Sequence, residues 1–252
     1  MQYPHFADQV VLITGAASGF GRLLAEKLAP SGARLILADL NEGGLDRLAA
    51  SLSAAGAPVL AMACDVTSQA QVKALHEAAI ERFGRLDIAI NNAGRASAMK
   101  ALIDTEEAEL DQAFAVNAKG VFFGMKYQIR QMLTQGHGCI LNVASLAGIG
   151  GAPKLAAYCA AKHAVVGLTR TAAVEYAAKN IRVNAICPFF SPTPLVTNSD
   201  MDEKQAFLAQ GSPMKRLGSP EEIVNAMLAI CNPDNSYMTG QAIAVDGGVS
   251  AF

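Results

Sequence analysis

The 252-residue sequence predicts an α/β fold: a doubly wound parallel sheet of about seven strands with helices on both faces, built as a single domain over residues 1–252. Three observations predict it. Short runs of Val, Ile and Leu alternate with longer segments of helical period, a glycine-rich turn follows the first run, and no repeat, low-complexity tract or linker divides the chain.

In chain order, the first strand is Val10–Ile13, an unbroken apolar run of the kind expected where crossover helices cover both faces of a sheet. A helix over Gly21–Ala29 leads to strand Arg34–Ala38, and a second over Glu42–Ala55 leads to strand Val59–Ala63. Helix Gln69–Phe83 precedes strand Ile88–Asn91, and helix Leu110–Leu133 precedes strand Cys139–Ala144. Helix Tyr158–Ala178, strand Arg182–Ile186, helix Glu221–Ile230 and strand Ala242–Val245 complete the alternation. Only Pro188–Gly218 lacks a clear period, with Pro188, Pro192, Pro194 and Pro213 punctuating it. A stretch that long inside a compact domain is usually functional, often a lid over a site.

Composition narrows the function. With 52% hydrophobic and 17% charged residues the chain can bury one sizeable core. A net charge of -2 and a pI near 6.1 supply no basic field for nucleic acid. Met1–Gln9 does not read as a signal peptide, and no apolar run approaches the roughly 20 residues that span a bilayer. A cytoplasmic protein without a membrane partner is expected. The five cysteines form no Cys-x-x-Cys pair, and the four histidines stand far apart, so the expectation is reduced thiols and no metal.

Thr14-Gly15-Ala16-Ala17-Ser18-Gly19-Phe20-Gly21 follows the first strand and opens the first helix. Glycines there let the backbone turn tightly and approach a pyrophosphate, which the helix N-terminus favours. A bland turn would need one glycine rather than three. Asp39 ends the second strand, where a carboxylate can accept from adenosine ribose hydroxyls. Neither Ser18 nor Leu40 offers a cation for a 2′-phosphate, and Asp39 would repel one, so NAD is expected over NADP. Asp65-Val66 can bracket the adenine, and Asn91-Asn92-Ala93-Gly94 sets small residues where backbone passes close to a cofactor.

Tyr158 and Lys162 lie four residues apart on a helix, so both can reach one ligand. Ser145 ends the fifth strand, at the edge where open parallel sheets place ligands. Reducing a carbonyl by hydride builds negative charge on oxygen, which calls for a proton donor and a second hydrogen-bond donor. Tyr158 and Ser145 suit those roles, with the Lys162 ammonium expected to favour the phenolate.

With these residues in place, the chain resembles the short-chain dehydrogenase/reductase family over nearly its whole length. The matching features are Thr14 to Gly21, Asp39, Asp65, Asn91 to Gly94, Asn117, Ser145, Tyr158 with Lys162, Pro188 with Thr193, and the ending Thr239-Gly240-Gln241 to Asp246-Gly247-Gly248. The resemblance implies a catalytic tetrad of Asn117, Ser145, Tyr158 and Lys162, with Lys162 on the nicotinamide ribose and Asn117 holding a relay water. It implies cofactor contacts from Gly15, Ser18, Gly19, Phe20 and Gly21, then from Asp39, Asp65, Val66, Asn91, Ala93 and Gly94. Further contacts are implied at Tyr158, Lys162, Pro188, Ser191 and Thr193. A homotetramer is the assembly it implies. By residue chemistry alone, Asn117 reads equally as a poor helix former that interrupts its helix.

The pattern breaks once. Where the family has glycine after Pro188, this chain has Phe189, and a glycine of positive φ does not become phenylalanine without strain. Either Phe189 or Phe190 walls the substrate pocket or both rings pack the core. The pocket is expected to comprise Ser145, Ala147, Tyr158, Phe189, Phe190 and Leu195. Few cations lie between Ser191 and Gly211, although Arg95 and Lys154 can reach the mouth, so a neutral, fairly hydrophobic secondary alcohol or ketone is expected. Two alternatives stand beside it: a 3-oxoacyl thioester reductase, which Asp39 disfavours because the resemblance ties those enzymes to NADP, and a catalytically silent nucleotide-binding regulator of the same fold.

Overall fold

The computed structural model describes residues 3–199 and 201–251; Met1, Gln2, Asp200 and Phe252, including the outermost residues of the expected domain, lie outside the described residues. One seven-stranded sheet runs in the order β3-β2-β1-β4-β5-β6-β7, with every pairing parallel. The strands are β1 Val10–Thr14, β2 Arg34–Asp39, β3 Val59–Ala63, β4 Ile88–Asn91, β5 Gly138–Val143, β6 Ile181–Pro188 and β7 Ala242–Val245. The central runs read as unbroken apolar sequence because both faces are covered: all of β1 and all of β6 are buried.

Helices α1 Gly19–Leu28, α2 Glu42–Ala54 and α9 Pro220–Cys231 bury Leu24, Leu28, Leu45, Val224 and Met227 against Val11, Ile13, Leu35 and Leu37 on one face. Helices α3 Gln69–Phe83, α5 Gly120–Gln135 and α6 Ala156–Tyr176 bury Leu75, Met125, Met132 and Val165 against Leu12, Ile36, Ile140 and Val183 on the other. Each end has a local cause. Asn41 and Ser68 cap α2 and α3 by accepting from Gly44 N and Gln71 N, and Ser219 with Glu222 forms a capping box at α9. Left-handed Gly84 and Gly136 stop α3 and α5.

Two expectations need correction. The single helix expected over Leu110–Leu133 is α4 Glu107–Phe114, a π turn Ala115–Lys119, and α5. Five-residue spacing opens where Asn117 must turn inward, as π turns often do at functional sites. The aperiodic stretch after Pro188 also carries two short helices, α7 Pro194–Thr197 and α8 Gln205–Gly211, whose Val196 and Leu208 pack with Met201 in a small separate core. Seven residues or fewer per helix is too short for a helical period to show in sequence.

Because the chain runs β1 to β2 to β3 and then returns to the other side of β1, the strand order reverses between β1 and β4. A crevice opens there at the C-terminal strand ends, where ligands of open α/β sheets bind.

Candidate active site

At the nucleotide end, backbone geometry does the shaping. Gly15 and Gly19 hold φ of 66° and 53°, the left-handed region that favours glycine. A Cβ on Gly21 would collide with the Gly15 carbonyl, so this glycine lets the start of α1 close onto its own loop. Thr14 Oγ1 accepts from Asn92 N and Ala93 N, each at 3.0 Å, while Asn92 Nδ2 donates to Thr14 O and Gly15 O, tying the loop after β1 to the loop after β4. Asp39 Oδ2 accepts from Ala17 N at 2.8 Å and Oδ1 from Asn41 N at 2.8 Å. Each oxygen keeps a lone pair, so Asp39 holds the loop and can still accept a further hydrogen bond. Ser18 is exposed at the α1 N-cap, and Phe20 packs on the core beneath. Asp65 Oδ1 accepts from Thr67 N and Oγ1, and Val66 lies against Gly120, where a Cβ would approach its Cγ2 to 2.9 Å.

At the chemical end, β5 and α6 meet. Ser145 caps a short turn by accepting from Ala147 N at 3.2 Å. Gly148 lets that turn lie on α6, since a Cβ there would come 2.7 Å from Lys162 O. Lys162 is buried and donates through Nζ to Val143 O at 2.8 Å. That Nζ lies 5.6 Å from the Tyr158 ring centre. Burial pushes the Tyr158 phenol up to about 12, although a hydrogen bond with Ser145 draws it back down. The side chain as a whole is only half-buried. Burial likewise lowers Lys162 to about 8.

Burial sets the direction of the phenol's shift, and the Lys162 Nζ is turned to Val143 O. Asn117 is fully buried, and its side chain is committed to the Arg95 backbone: Oδ1 accepts from Arg95 N at 2.9 Å, and Nδ2 donates to Arg95 O at 3.0 Å. Gly94 sits where these groups converge, because a Cβ there would lie 3.1 Å from Asn117 Oδ1 and 3.6 Å from Lys162 Nζ.

Other expected site residues divide. Ser191 and Thr193 are buried beside Pro188, and the Ser191 hydroxyl has no hydrogen-bond partner among the described residues. An orphaned buried hydroxyl on the loop expected to hold the nicotinamide amide fits a dinucleotide. Ala93 and Gly94 line the same crevice with little side chain. Asn91 does not serve it with its side chain, which is buried and bonded to Gln128 and Asn142. Ala147 is buried, and Leu195 stays partly exposed on α7.

The Phe189 expectation also changes. Neither Phe189 nor Phe190 has positive φ, so the missing glycine leaves no strain. Phe189 N instead donates to Val245 O at 3.1 Å, prolonging the β6–β7 ladder. The two rings meet edge-on at 4.9 Å and then part. Phe190 packs with Met99, Val196 and Met201 of the loop cluster, whereas Phe189 lines a cavity of about 130 Å³ with Met214, Ile223 and Val245. Phe189 also lies beside Gly211 at the end of α8, 3.9 Å from where a Cβ there would stand.

Sequence reasoning singled out the segments of Thr14 and Asn92 but not the bonds that join them across more than 70 residues. It also missed Cys187, whose thiol burial raises to about 11 and which interacts with Ser145, Tyr158 and Lys162. No local signal marks Cys187. Among the described residues no group of three or more His, Cys, Asp or Glu is placed to hold a metal ion, and no helix is long and apolar enough to cross a membrane.

A family model described as "Enoyl-(Acyl carrier protein) reductase" matches residues 15–250. The chain is 41% identical to levodione reductase of Leifsonia aquatica, covering 98% of this chain and 96% of that protein. The crystal structure of levodione reductase superposes with a TM-score of 0.93 over 98% of this chain and 99% of that one. This chain belongs to the short-chain dehydrogenase/reductase family. As a member, it is also 39% identical to cis-4-hydroxycyclohexanecarboxylate dehydrogenase of Sinomonas cyclohexanicum, over 98% of each protein. The structure of 3-ketoacyl-(acyl-carrier-protein) reductase from Brucella melitensis complexed with NADH aligns at 36% identity with a TM-score of 0.90, over 97% of this chain and 99% of that one.

Proposed function

We propose that this short-chain dehydrogenase/reductase moves hydride between NAD(H) and a secondary alcohol or ketone that is neutral and fairly hydrophobic, with Tyr158 as acid/base. The observation that carries the reading is the meeting of Ser145, Tyr158 and Lys162 at the C-terminal sheet edge, beside the Gly15–Gly21 loop.

The residues fit NAD. Gly15, Ser18, Gly19, Phe20 and Gly21 would hold the pyrophosphate, Asp39 the adenosine ribose, and Asp65 with Val66 the adenine. The Asn91–Gly94 backbone, Pro188, Ser191 and Thr193 would flank the nicotinamide, and Lys162 its ribose. Asp39 repels a 2′-phosphate. When bound, NAD supplies the hydride acceptor and a positive charge that favours the phenolate.

In oxidation, Tyr158 takes the hydroxyl proton while Ser145 donates to the same oxygen; in reduction, Tyr158 returns the proton to that oxygen. Lys162, lowered to about 8, remains largely an ammonium at neutral pH and is the cation that would favour the phenolate. Asn117 serves the proton relay through the π turn, which releases main-chain carbonyls from the usual ladder while its side chain is held by Arg95. Phe190, Met99 and Val196 give the substrate side an apolar lining, and the relatives named for ring-bearing hydroxyl substrates agree with such a pocket. The partly exposed Phe122 on α5 and the strongly exposed Val174 on α6 suit a homotetramer, which solution mass measurement tests.

A second reading keeps one specific support. The similar 3-ketoacyl reductase binds NADH, so Asp39 does not by itself exclude 3-oxoacyl thioesters. NADH absorbance over cyclohexanol, aromatic alcohols and an acetoacetyl thioester, with NAD and NADP in parallel, separates the two. Tyr158→Phe is expected to lower turnover by about 10²–10⁴-fold with NADH affinity retained. Undiminished oxidation by that variant would overturn the mechanism.

A further inference from the structure

Beneath the catalytic groups runs a chain of buried polar side chains that the reaction itself does not use. Asn91 on β4, Gln128 on α5, Asn142 on β5 and Thr169 on α6 are each at most 3% exposed. Asn91 and Asn142 are register partners across β4 and β5, and Asn91 Nδ2 donates to Asn142 Oδ1 at 2.8 Å and to Gln128 Oε1 at 3.0 Å. Gln128 Nε2 returns a bond to Asn91 Oδ1 at 2.8 Å. Asn142 Nδ2 donates to Thr169 Oγ1 at 2.9 Å and to Met125 Sδ at 3.3 Å, and Thr169 Oγ1 donates to Val165 O at 2.8 Å. An apolar core would hold these elements together without such groups, and each amide left unpaired would be costly.

The placement gives the chain of bonds a use. Each of its four elements leads into the site: β4 into Asn91–Gly94, α5 out of the π turn of Asn117, β5 into Ser145, and α6 through Tyr158 and Lys162. Helix α6 is fastened to β5 at two points. Lys162 Nζ donates to Val143 O near the site, and about two turns further along the same helix face Asn142 donates to Thr169. Two fastenings fix a helix's tilt where one leaves it free to pivot.

We infer that Thr169 and Asn142 are positioning residues: their hydrogen bond sets the tilt of α6 against β5 and thereby the approach of Tyr158 to Ser145. With the Thr169 joint lost, α6 pivots about the Lys162 fastening, about 6 Å along the helix axis from Tyr158, so a tilt of about 10° moves the phenol by about 1 Å. A misplacement of that size can cost on the order of 10²-fold in rate. The inference rests on Tyr158 and Ser145 acting as proposed above.

The test compares two breaks in the same chain of bonds. Thr169→Val, nearly isosteric, removes the β5–α6 joint, whereas Gln128→Met removes the α5 end and leaves that joint whole. Both are expected to lower the thermal midpoint. Thr169→Val alone is expected to lower kcat for a secondary alcohol by tenfold or more and to shift the pH midpoint of kcat, with NADH dissociation constant within about twofold of wild type by fluorescence. Thr169→Ser, which restores the hydroxyl, is expected to recover both. Equal kcat losses in Thr169→Val and Gln128→Met, or a Thr169→Val loss confined to thermal stability, would overturn the inference. If Thr169→Val does not fold, Thr169→Cys, similar in volume with a weaker donor, is read by the same outcomes. Wild-type protein without turnover on any alcohol or ketone would instead defeat the functional reading and is scored separately.

Discussion

The two ends of the crevice are built from different materials. At the nucleotide end, β1 to β3 deliver backbone: positive-φ glycines, a glycine packed against a carbonyl, and Asp39 and Thr14 fastening loops through main-chain N–H groups. At the chemical end, β5, α5 and α6 deliver side chains whose properties come from burial. Tyr158 is pushed up, Lys162 down, and Asn117 is bonded away from water. The first end therefore answers to steric substitution, and the second to charge and desolvation. Only the second sacrifices stability for its chemistry, because a buried amine and phenol both work against folding when charged.

The largest expected separation comes from Lys162→Met. Turnover should fall by about 10²–10⁴-fold, the range for losing acid/base assistance, while the protein becomes more stable near neutral pH. The sign follows from the lowered amine. Its folded value of about 8 lies below its ordinary 10.5, so the cost of burying the charge is fully present below pH 8 and relieved as pH rises toward 10.5. That cost is on the order of 3 kcal/mol at most. Chemical denaturation of wild type from pH 7 to 10 should show stability rising above pH 8, and Lys162→Met should remove the rise. A parallel pH dependence in both proteins would show that the amine is not what burial strains. Tyr158 acts in the opposite direction: raised to about 12, it stops supporting the fold as pH climbs from 10 through 12.

A smaller effect, opposite in kind, is expected from Gly21→Ala. The added methyl meets the Gly15 carbonyl, and overpacking of that sort costs about 1–3 kcal/mol. NADH affinity should fall by about tenfold or more, with kcat at saturating cofactor nearly unchanged, as measured by fluorescence titration and steady-state kinetics. A loss of kcat without a loss of affinity would erase the distinction between the ends.

The smallest catalytic effect is expected from Phe189→Gly. Because that ring lines the cavity beside Ile223 and Val245, the ranking of small and bulky alcohols should hold within about twofold while the thermal midpoint drops. A reordered ranking would return Phe189 to the substrate wall.

Much of the fold was legible because parallel strands buried on both faces read as plain apolar runs. The observed strands Val59–Ala63, Ile88–Asn91 and Ala242–Val245 match their predicted bounds. The break at Asn117 was legible only as an alternative, a poor helix former interrupting its helix, because nothing in the residue types distinguishes a π turn from continued α-helix. The short helices after Pro188 were hidden, having too few residues to establish a period. Within the site, glycine spacing and the Tyr158–Lys162 pair were readable, being local chemistry. Thr14 with Asn92 and Thr169 with Asn142 were not, because each partner looks ordinary until distant segments meet.

Local sequence by itself determined the alternation of elements, the glycine turn, the acid at Asp39 and the Tyr158–Lys162 pair proposed to react, all of which depend on residue type and near neighbours. Tertiary structure alone decided their proton affinities, the separate directions of Phe189 and Phe190, and the polar chain beneath α6. Desolvation and hydrogen bonding depend on what surrounds a group in space, and for these groups the surroundings come from strands and helices tens of residues away.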